Sequence, residues 1–584
     1  MKISRISIRN YRNIKETTFS LSDTTIFMGE NNSGKSNMLR AIALPLYSED
    51  NMVSKNLSWE DINFDAKSEF FSYLSNQRSA IVAGTVNKEE FSSHIPVVSV
   101  ELHFTANESE LYYVKDIAFD ISDGVITYGL LYRFCIDSVD KLLENIKSIL
   151  SDESVEIERV KRNLLPISLY THSIIVPGKQ SKVAYDTLKQ FRYTFLPAER
   201  DGFSYDSNRI GYRSLVKLLE AKYSSTDMVR IEGEYETFFN TVKEIGNIEQ
   251  VINWQDESDI PYAKEFIKNI SVLPNMPSLS SILNSIKLGY SNESLSLQGL
   301  GYRNLILLLV LLNSWEKHQS DIALNVLIME EPEAHLCVNN IRLMYSFINA
   351  LTKDNARIQL VFTSHSTEFI NKHDLKNLVV LDSGYAYALL TELGQEERDY
   401  LSKNPNTDIY KLFLSHRCVL VEGISEELLI KAFLRAQNKL DNIDVLSFHK
   451  GFTKIIEIWI KTNRSCRKKL GIVRDYDNQD KAKELHHQYN TIPSICVATT
   501  SQRTLEPEIV NTGNNYELLK ATYGEQFGWS GLSKEELSKD WEGQKANVML
   551  TITRDLSEGK LCNFSMPAHI EAVLNSMTEK KDEN

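Results

Sequence analysis

The sequence GENNSGKS, from Gly29 to Ser36, constrains the fold of this chain more than any other feature. It matches the pattern G-x-x-x-x-G-K-[ST] and lies between an apolar stretch, Thr25 to Met28, and a helix predicted to begin near Lys35. Glycines in such a loop let backbone N–H groups surround phosphate oxygens, and the lysine places a cation on the β- and γ-phosphates. An α/β fold that binds ATP and Mg²⁺ is therefore predicted, with contacts from Gly29, Asn32, Gly34, Lys35 and Ser36.

Two later apolar strands end in polar residues that suit the same site. The segment Ala323 to Leu336 contains a strand that ends in Glu330 and Glu331. Glu330 is expected to hold Mg²⁺, mostly through water, and Glu331 to polarise the water that attacks the γ-phosphate. The segment Ile358 to Ser366 carries His365 at its polar end, where an imidazole can contact the γ-phosphate.

The order of phosphate loop, acidic pair and histidine resembles the ABC-type ATPase heads of the RecF and SMC group, and Pro197 to Arg200 resembles a segment of their bacterial relatives. In such heads a signature loop from a second copy completes the ATP site, so the resemblance implies dimerisation. The predicted loop is Ser296 to Asn304, which contains Gly299 and Gly301 and precedes a long apolar helix. It departs from the usual Ser-Gly-Gly core because Gln298 precedes the first glycine.

A second group of acidic residues lies far along the chain. The apolar strand Cys418 to Val421 ends in Glu422, and Glu426 falls in the first turn of the next predicted helix. A later apolar strand runs into Asp475 and Asp477, whose i, i+2 spacing places both carboxylates on one side of an extended chain. Carboxylates grouped at the ends of strands are costly unless divalent ions neutralise them, so bound Mg²⁺ or Mn²⁺ is predicted.

The order of a strand-end glutamate, a helical glutamate and then a D-x-D pair resembles a Toprim domain, the metal-binding fold of topoisomerases, primases and a group of nucleases. The resemblance implies a further metal ligand at Glu506, with Glu508 as the alternative. It also matches Lys560 to a lysine beside the scissile phosphate, where a cation offsets charge on the leaving oxygen. The predicted catalytic residues are Glu331, Glu422, Asp475 and Lys560, and the predicted metal ligands are Ser36, Glu330, Glu422, Glu426, Asp475, Asp477 and Glu506.

Composition limits how the chain can bind nucleic acid. Its net charge of −13 excludes binding by a globally basic surface, so any contact requires a local basic patch. The segment between the two acid motifs is such a patch, although most charge runs are simply solvated surfaces. The residues predicted to contact a DNA backbone are Arg464, Arg467, Lys468 and Lys469.

At 584 residues the chain is too long for one compact core. The prediction is an ATPase head over residues 1–395, with a helical insertion near 205–290 that could serve as a dimerisation arm. A linker at 396–408 and a Toprim domain over 409–584 are expected to follow. Residues 50–190 show a strand-like run near 97–104 and a helical pattern near 140–162, but predict no chemistry.

Cysteine usage and hydropathy indicate the compartment. The six cysteines include no C-x-x-C pair, which fits a reducing environment without disulfides. The longest apolar run, Leu305 to Leu312, is far short of the roughly 20 residues that span a bilayer. A cytoplasmic protein without a membrane segment is expected.

An SMC- or RecF-like head joined to a C-terminal Toprim domain resembles the OLD family (overcoming lysogenization defect), whose members are ATP-hydrolysing, metal-dependent nucleases often associated with defence against phage. The resemblance implies an ATP-regulated DNA endonuclease that uses Mg²⁺ or Mn²⁺, acts in anti-phage defence and forms a homodimer or a higher homo-oligomer. A helicase-like partner and a retron reverse transcriptase with its RNA–DNA hybrid are both open. The alternative function is a RecF-like, ATP-driven DNA clamp or repair scaffold whose Toprim site binds without cutting.

Overall fold

The computed structural model describes most of the chain: residues 1–48, 52–122, 125–179, 181–198, 210–246, 273, 279–283, 286–317, 322–353, 357–404, 406–448, 451–463 and 467–578. Arg464 lies outside the described residues, as do Glu199 and Arg200 of the segment Pro197–Arg200 and part of the predicted insertion at 205–290.

The described strands are, in chain order, β1 (Lys2–Tyr11), β2 (Ile14–Ser20), β3 (Thr24–Gly29), β4 (Val98–Thr105), β5 (Ala118–Ser122), β6 (Val125–Ile136), β7 (Tyr170–Ile175), β8 (Phe191–Leu196), β9 (Gly289–Tyr290), β10 (Glu293–Ser294), β11 (Leu324–Glu330), β12 (Ile358–Ser364), β13 (Leu378–Asp382), β14 (Tyr385–Ala388), β15 (Arg417–Val421), β16 (Asp444–Ser447), β17 (Lys469–Arg474) and β18 (Ile495–Thr499).

The described α-helices are, in chain order, α1 (Lys35–Ala43), α2 (Phe64–Asn76), α3 (Arg78–Ala83), α4 (Lys88–His94), α5 (Leu111–Val114), α6 (Val139–Leu150), α7 (Ile157–Leu164), α8 (Tyr185–Leu188), α9 (Ile210–Glu220), α10 (Ser225–Gly246), α11 (Leu279–Leu283), α12 (Leu300–Lys317), α13 (Val338–Lys353), α14 (Thr367–Ile370), α15 (Leu389–Glu392), α16 (Gln395–Lys403), α17 (Lys411–Leu414), α18 (Ile424–Ala436), α19 (Phe452–Thr462), α20 (Asp480–His487), α21 (Leu505–Asn511), α22 (Asn515–Phe527), α23 (Lys534–Gly543), α24 (Lys545–Ser557) and α25 (Ala568–Thr578).

An antiparallel sheet accounts for much of the region that gave mixed sequence signals. Its strand order is β2-β1-β4-β6-β5, and β7 also pairs with β6. Every second residue of β4 is buried, from Val98 to Phe104, which is the alternation expected when only one face of a sheet covers a core. The strand expected near residues 97–104 is β4, and the helical pattern near 140–162 forms α6 and α7.

A second sheet carries the phosphate loop. Its strand order is β14-β13-β3-β12-β11-β8, and β3 runs parallel to both β12 and β13. All residues of β3 and β12 are buried, as expected for parallel strands covered on both faces. Hydrogen bonds from Asn325 N to Arg357 O and from Glu331 N to Thr363 O show that β11 runs parallel to β12. The carboxyl ends of β3, β11 and β12 therefore lie at one edge of the sheet.

A third sheet lies near the C-terminus and consists of four parallel strands in the order β16-β15-β17-β18. Helix α24 packs along α18, and both contribute buried side chains such as Leu429, Ile430, Met549 and Ile552 to one core. The predicted fold class, an α/β P-loop head of the ABC type followed by a Toprim-like α/β domain, is confirmed.

The chain divides into two compact units that do not follow the predicted domain boundary. One unit contains residues 1–195, 326–332 and 359–584, so the head sheets and the C-terminal sheet belong to it together. The other contains residues 196–325 and 333–358 and includes the described parts of the predicted insertion. In that unit α12 packs against α9 and α13.

The segment 396–408, predicted as a linker, is folded, and the prediction is corrected here. Helix α16 occupies most of it and packs against α19. Glu397 is buried, and both of its carboxylate oxygens accept hydrogen bonds of 2.7 Å from Lys461 Nζ. The segment is as charged as a linker. It is nevertheless folded, because its acidic side chains pair with basic residues more than 50 positions away, including Lys454, which pairs with Glu396.

Among the described residues, no helix combines the length and the apolar character needed to cross a bilayer.

Gly384 links the turn between β13 and β14 to the phosphate loop, and we expect Gly384→Ala to destabilise the protein. Its N–H donates to Ser33 O at 3.1 Å, its φ is +92°, and a Cβ would overlap the backbone oxygen of Asn13. The left-handed backbone and the overlap together should lower the free energy of unfolding by about 2 kcal/mol or more, measured by urea unfolding.

Gly178→Ala is the matched control, because Gly178 also has a positive φ, +70°, but a Cβ there would meet nothing within 4 Å. This variant should lose only about 1 kcal/mol, from backbone strain alone. Equal losses in the two variants would show that packing against Asn13 is not what requires glycine at position 384.

Candidate functional site

The phosphate loop has the backbone and the lysine position that phosphate binding requires. Asn32 and Gly34 have φ values of +66° and +105°, and a Cβ on Gly29 would lie only 2.5 Å from Leu381 O. Lys35 is buried at the start of α1, and its Nζ donates to the carbonyl oxygens of Gly29 and Glu30, each at 2.8 Å. The loop's own carbonyl groups therefore hold the ammonium group in place. Ser36 follows Lys35 and is exposed.

The acidic pair and the histidine lie at the same sheet edge. Glu331 has a φ of +43°, and its N–H donates to both the carbonyl and the hydroxyl oxygen of Thr363 at 3.1 Å. Its carboxylate lies 3.2 Å from His365 Nδ1. Glu330 is the last residue of β11. The strand ends thus bring the phosphate loop, the acidic pair and His365 to one edge of the sheet.

The predicted signature loop begins α12 in the other compact unit. A Cβ on Gly301 would lie 2.7 Å from His335 O, so this glycine permits close packing of the helix start, whereas a Cβ on Gly299 would meet nothing within 4 Å. Contact of these two glycines with a nucleotide of a second copy stays a prediction.

At the C-terminal sheet, carboxylates gather where β15 and β17 end. Glu422 follows β15, and its Oε1 accepts a hydrogen bond of 3.2 Å from the backbone N–H of Asp475, which follows β17. Buried Arg474 approaches the same oxygen of Glu422 at 3.9 Å. Glu426, in the first turn of α18, and Glu506, in α21, are both buried. We call Glu422, Glu426, Asp475 and Glu506 the carboxylate cluster.

The pKa of Asp475 shows that these groups interact. Burial raises this pKa to about 8, with further contributions from the negative charges of Glu426, Glu422 and Glu506. Burial and the charge of Glu506 also raise the pKa of Glu426. Carboxylates from three segments of the chain therefore interact electrostatically around Asp475, which is the condition that the predicted metal site requires.

A lysine that the sequence did not indicate reaches the carboxylate cluster. Lys545 Nζ lies 3.2 Å from Glu506 Oε2, and the side chain extends from a partly exposed position at the start of α24. Burial lowers the pKa of Lys545, but the charges of Glu506, Asp475 and Glu426 outweigh burial and raise it. No motif marks this residue. Its sequence signal is its place as the first residue of a helix. A positive charge there opposes the helix dipole and so favours a negatively charged partner.

The carboxylate cluster has the donor chemistry for a hard divalent ion, because it offers oxygen atoms and excess negative charge. Among the described residues, no three His, Cys, Asp or Glu side chains are close enough to one another to hold a metal ion as they stand. Lys545 supplies one positive charge to the cluster through its contact with Glu506. The residues thus fit Mg²⁺ or Mn²⁺ in ligand type and charge.

Two of the predicted acidic positions are placed differently. Strand β17 ends at Arg474, and Asp477 lies in a turn with a φ of +49° while its N–H donates to Arg503 O at 3.0 Å. The expectation of an extended chain through Asp477 is therefore wrong, and Asp477 is not among the charges that raise the Asp475 pKa. Glu508 accepts hydrogen bonds from Ser501 Oγ and Gln502 N, so Glu506 is the residue that joins the cluster.

Lys560, Lys468 and Lys469 bind residues outside the carboxylate cluster. Lys560 Nζ pairs with Glu558 at 2.6 Å and with Asp555 at 3.6 Å. Lys468 is buried and donates to Phe413 O at 2.8 Å, and Lys469 donates to Ser576 O at 2.6 Å. Because these ammonium groups bind the protein's own carbonyls, the structure does not support a DNA-contacting surface at Lys468 and Lys469, and that prediction is corrected. Arg467 follows the undescribed segment that contains Arg464.

Comparison with known proteins supports the assignment of the head. The AAA ATPase domain family matches residues 1–370, which is more than half of the chain. The chain belongs to the AAA ATPase domain family. Endonuclease GajA of Bacillus cereus (strain HuB5-5) is 22% identical to this AAA ATPase over 498 residues, which cover 76% of this chain and 69% of GajA. The predicted resemblance to the OLD family is confirmed, because the chain is a homologue of GajA.

Two solved structures are similar to parts of this AAA ATPase. The SMC head domain of Pyrococcus furiosus, bound to the C-terminal domain of ScpA, is 12% identical, with a TM-score of 0.31, and the match covers 67% of this chain and 97% of that chain. The C-terminal region of the Xanthomonas campestris pv. campestris OLD protein is 20% identical, with a TM-score of 0.19, and the match covers 28% of this chain and 95% of that chain.

The raised pKa of Asp475 predicts how the stability of this AAA ATPase depends on pH without divalent metal. Folding raises this pKa to about 8, from about 4 in an unfolded chain, so the unfolded state binds fewer protons between these values. Stability should therefore fall as pH rises from about 4 to 8. Asp475→Asn removes this cost, and thermal unfolding in EDTA should show a Tm above the parent's, by more at pH 8 than at pH 5.

Asp477→Asn is the control, because Asp477 lies in the turn after Asp475 and its N–H binds Arg503 O outside the carboxylate cluster. It should leave the pH dependence of the parent unchanged. If Asp475→Asn follows the parent's Tm at every pH, the carboxylates do not repel one another in the folded protein.

Proposed function

We propose that this protein is an ATP-regulated DNA endonuclease that hydrolyses phosphodiester bonds with divalent metal ions. The observation that carries the proposal is the carboxylate cluster, with Lys545 beside it, at the ends of two parallel strands in a chain that also has a complete phosphate loop. Similarity to GajA, whose name describes it as an endonuclease, supports the same reading.

Glu422, Glu426, Asp475 and Glu506 would hold one or two ions of Mg²⁺ or Mn²⁺. Bound ions of this kind supply an activated water and neutralise charge on the phosphate. Arg474 and the backbone N–H of Asp475 orient Glu422, since both contact its Oε1. Lys545, rather than Lys560, would place a cation on the leaving oxygen, because its ammonium group already lies beside Glu506.

At the head, Lys35 would exchange the carbonyl oxygens of Gly29 and Glu30 for the β- and γ-phosphates of ATP. Glu331 would accept a proton from the attacking water, and His365 would position the Glu331 carboxylate through their 3.2 Å contact. Ser36 and Glu330 would complete the Mg²⁺ site of the nucleotide. Gly299 and Gly301 of a second copy would close it, which requires a homodimer or a higher homo-oligomer.

The biological setting is proposed from the OLD resemblance. DNA is the substrate, anti-phage defence is the role, and the cytoplasm is the location. The proposed partner is either a helicase-like protein or a retron reverse transcriptase with its RNA–DNA hybrid. Pull-down from phage-infected cells distinguishes the two.

Plasmid cleavage in Mg²⁺ or Mn²⁺ tests the nuclease and compares the two lysines. We expect Lys545→Met to slow cleavage by about 100-fold or more, because it removes the cation beside the reacting phosphate. Lys560→Met should stay within about threefold of the parent, since an exposed pair with Glu558 contributes little. Nicked and linear products on agarose gels measure both rates.

Asp475→Asn is the reference for complete loss of the metal site, and it should abolish cleavage while the protein stays folded. Loss of activity in Lys560→Met with full activity in Lys545→Met would overturn the assignment of the lysine. Absence of cleavage by the parent in every metal would favour the alternative function, an ATP-driven DNA clamp.

The ATP site gives a separate prediction. Glu331→Gln should bind ATP as the parent does but hydrolyse it about 100-fold more slowly, because the amide cannot accept the proton of the attacking water. Lys35→Met should instead lose ATP binding. Fluorescent nucleotide titration and phosphate release measure the two steps, and parental hydrolysis by Glu331→Gln would remove Glu331 from the catalytic role.

A further inference from the structure

We propose that a contact between the phosphate loop and the starts of β15 and β17 passes nucleotide occupancy to the carboxylate cluster. The contact consists of Glu30 in the loop and His416 before β15, whose carbonyl oxygen accepts a hydrogen bond of 3.0 Å from the N–H of Lys469 at the start of β17, and we call it the loop–strand contact. One test of this inference measures DNA cleavage and therefore rests on the proposed function. A second test measures hydrogen exchange and is independent of cleavage.

Glu30 joins the phosphate loop to the residue that precedes β15. Glu30 Oε2 lies 3.5 Å from His416 Nδ1. Lys468 is 3% exposed, and the negative charges of Asp382 and Glu30 act on its ammonium group. Burial lowers the pKa of Lys468, and these two carboxylates oppose that change. A glutamate of the phosphate loop thus lies beside His416, and its charge also acts on Lys468.

On the loop side, the same glutamate is bound to the cation that binds phosphate. Lys35 Nζ donates to the backbone oxygen of Glu30 at 2.8 Å. When this ammonium group turns to the phosphates of a nucleotide, the hydrogen bond to Glu30 must weaken or break. Nucleotide binding therefore changes the forces on Glu30 directly, with no other residue between Lys35 and the contact.

On the strand side, each basic residue begins a short path to the carboxylate cluster. His416 precedes β15, which ends before Glu422, and Lys468 precedes β17, which ends before Asp475. The two strands are parallel neighbours paired from Arg417 and Lys469 to Val421 and Val473. A shift of one strand start relative to the other is carried along about 17–20 Å of backbone at about 3.3 Å per residue.

The far ends of the strands meet in the hydrogen bond between Asp475 N and Glu422 Oε1. A relative shift of β15 and β17 changes this bond and hence the spacing of two carboxylates that are proposed to hold metal. A cavity of about 490 Å³ beside the loop–strand contact, lined by Asn31, Ser415 and Asn442 among others, gives Glu30 and His416 room to separate. His416 acts here as a positioning residue and touches neither metal nor substrate.

Cleavage with and without a non-hydrolysable ATP analogue tests the proposal. We expect the analogue to change the plasmid cleavage rate of the parent by at least about fivefold, and His416→Ala to bring this ratio within about twofold of unity. Cleavage by His416→Ala without nucleotide and its affinity for the analogue should match the parent's. Glu30→Gln combined with His416→Ala should change the ratio no further than His416→Ala alone, because the two residues act through one contact.

His103→Ala is the matched control, since His103 Nε2 pairs with Glu101 at 2.6 Å in the antiparallel sheet, away from both sites. It should keep the parental ratio. A parental ratio in His416→Ala, or a parent whose cleavage does not respond to the analogue, overturns the coupling while leaving the nuclease assignment intact.

Hydrogen exchange separates failure of the coupling from failure of the proposed function. In the parent, the analogue should change amide exchange in peptides covering 417–426 and 469–480, and His416→Ala should lose this change. If the parent cuts no DNA but shows this pattern, the endonuclease assignment fails and the coupling stands. If exchange in these peptides does not respond to the analogue, or responds equally in His416→Ala, the coupling fails.

Discussion

Mutual repulsion among the carboxylates of the C-terminal sheet is the constraint on which the chemistry of this protein depends. Glu426 and Glu506 are buried, and their charges together with that of Glu422 help to raise the pKa of Asp475 to about 8. Ionising all four groups at neutral pH is unfavourable unless positive charge enters the cluster. Lys545 supplies one charge through Glu506, and the excess negative charge that remains in the cluster is the reason for proposing divalent ions there.

The two sites use a lysine in the same structural position. Lys35 is the first residue of α1, and Lys545 is the first residue of α24. A cation at a helix N-terminus is disfavoured by the helix dipole and needs acceptors, which are loop carbonyls for Lys35 and Glu506 for Lys545. A lysine combined with free helical N–H groups creates positive potential that attracts phosphate oxygens. The resemblance between the two arrangements is consistent with phosphate chemistry at both.

Strand ends could be predicted from the sequence because short apolar runs followed by polar residues have a strong local signal. The phosphate loop, Glu331, His365, Glu422 and Asp475 all lie where such runs end. Positions that depend on distant contacts could not be predicted. Burial of Lys468, the order of α16 through Glu397 and Lys461, and the approach of Lys545 to Glu506 each join segments far apart in the sequence.

Short-range expectations were also wrong where the backbone leaves regular structure. The i, i+2 argument for Asp477 assumed an extended chain, but β17 ends at Arg474 and Thr500 binds the loop that follows. The Thr500 hydroxyl accepts from Tyr476 N at 2.9 Å, and Thr500 N donates to Arg474 O at 3.0 Å. These bonds turn the chain after Asp475, so that one aspartate of the pair faces the cluster and the other lies in a turn.

The residues at the starts of β15 and β17 lie in the same compact unit as the phosphate loop. This position explains how the proposed ATP hydrolysis and DNA cleavage could depend on each other. Residues 1–195 and 359–584 belong to the same unit, so the contact between Glu30 and His416 lies inside it. Strands β15 and β17 are only five and six residues long, and their interior residues are buried. Packed interiors of this kind switch between discrete arrangements and do not deform gradually, because small displacements inside a packed core already cost contacts. We therefore expect Glu422 and Asp475 to respond to events at the strand starts.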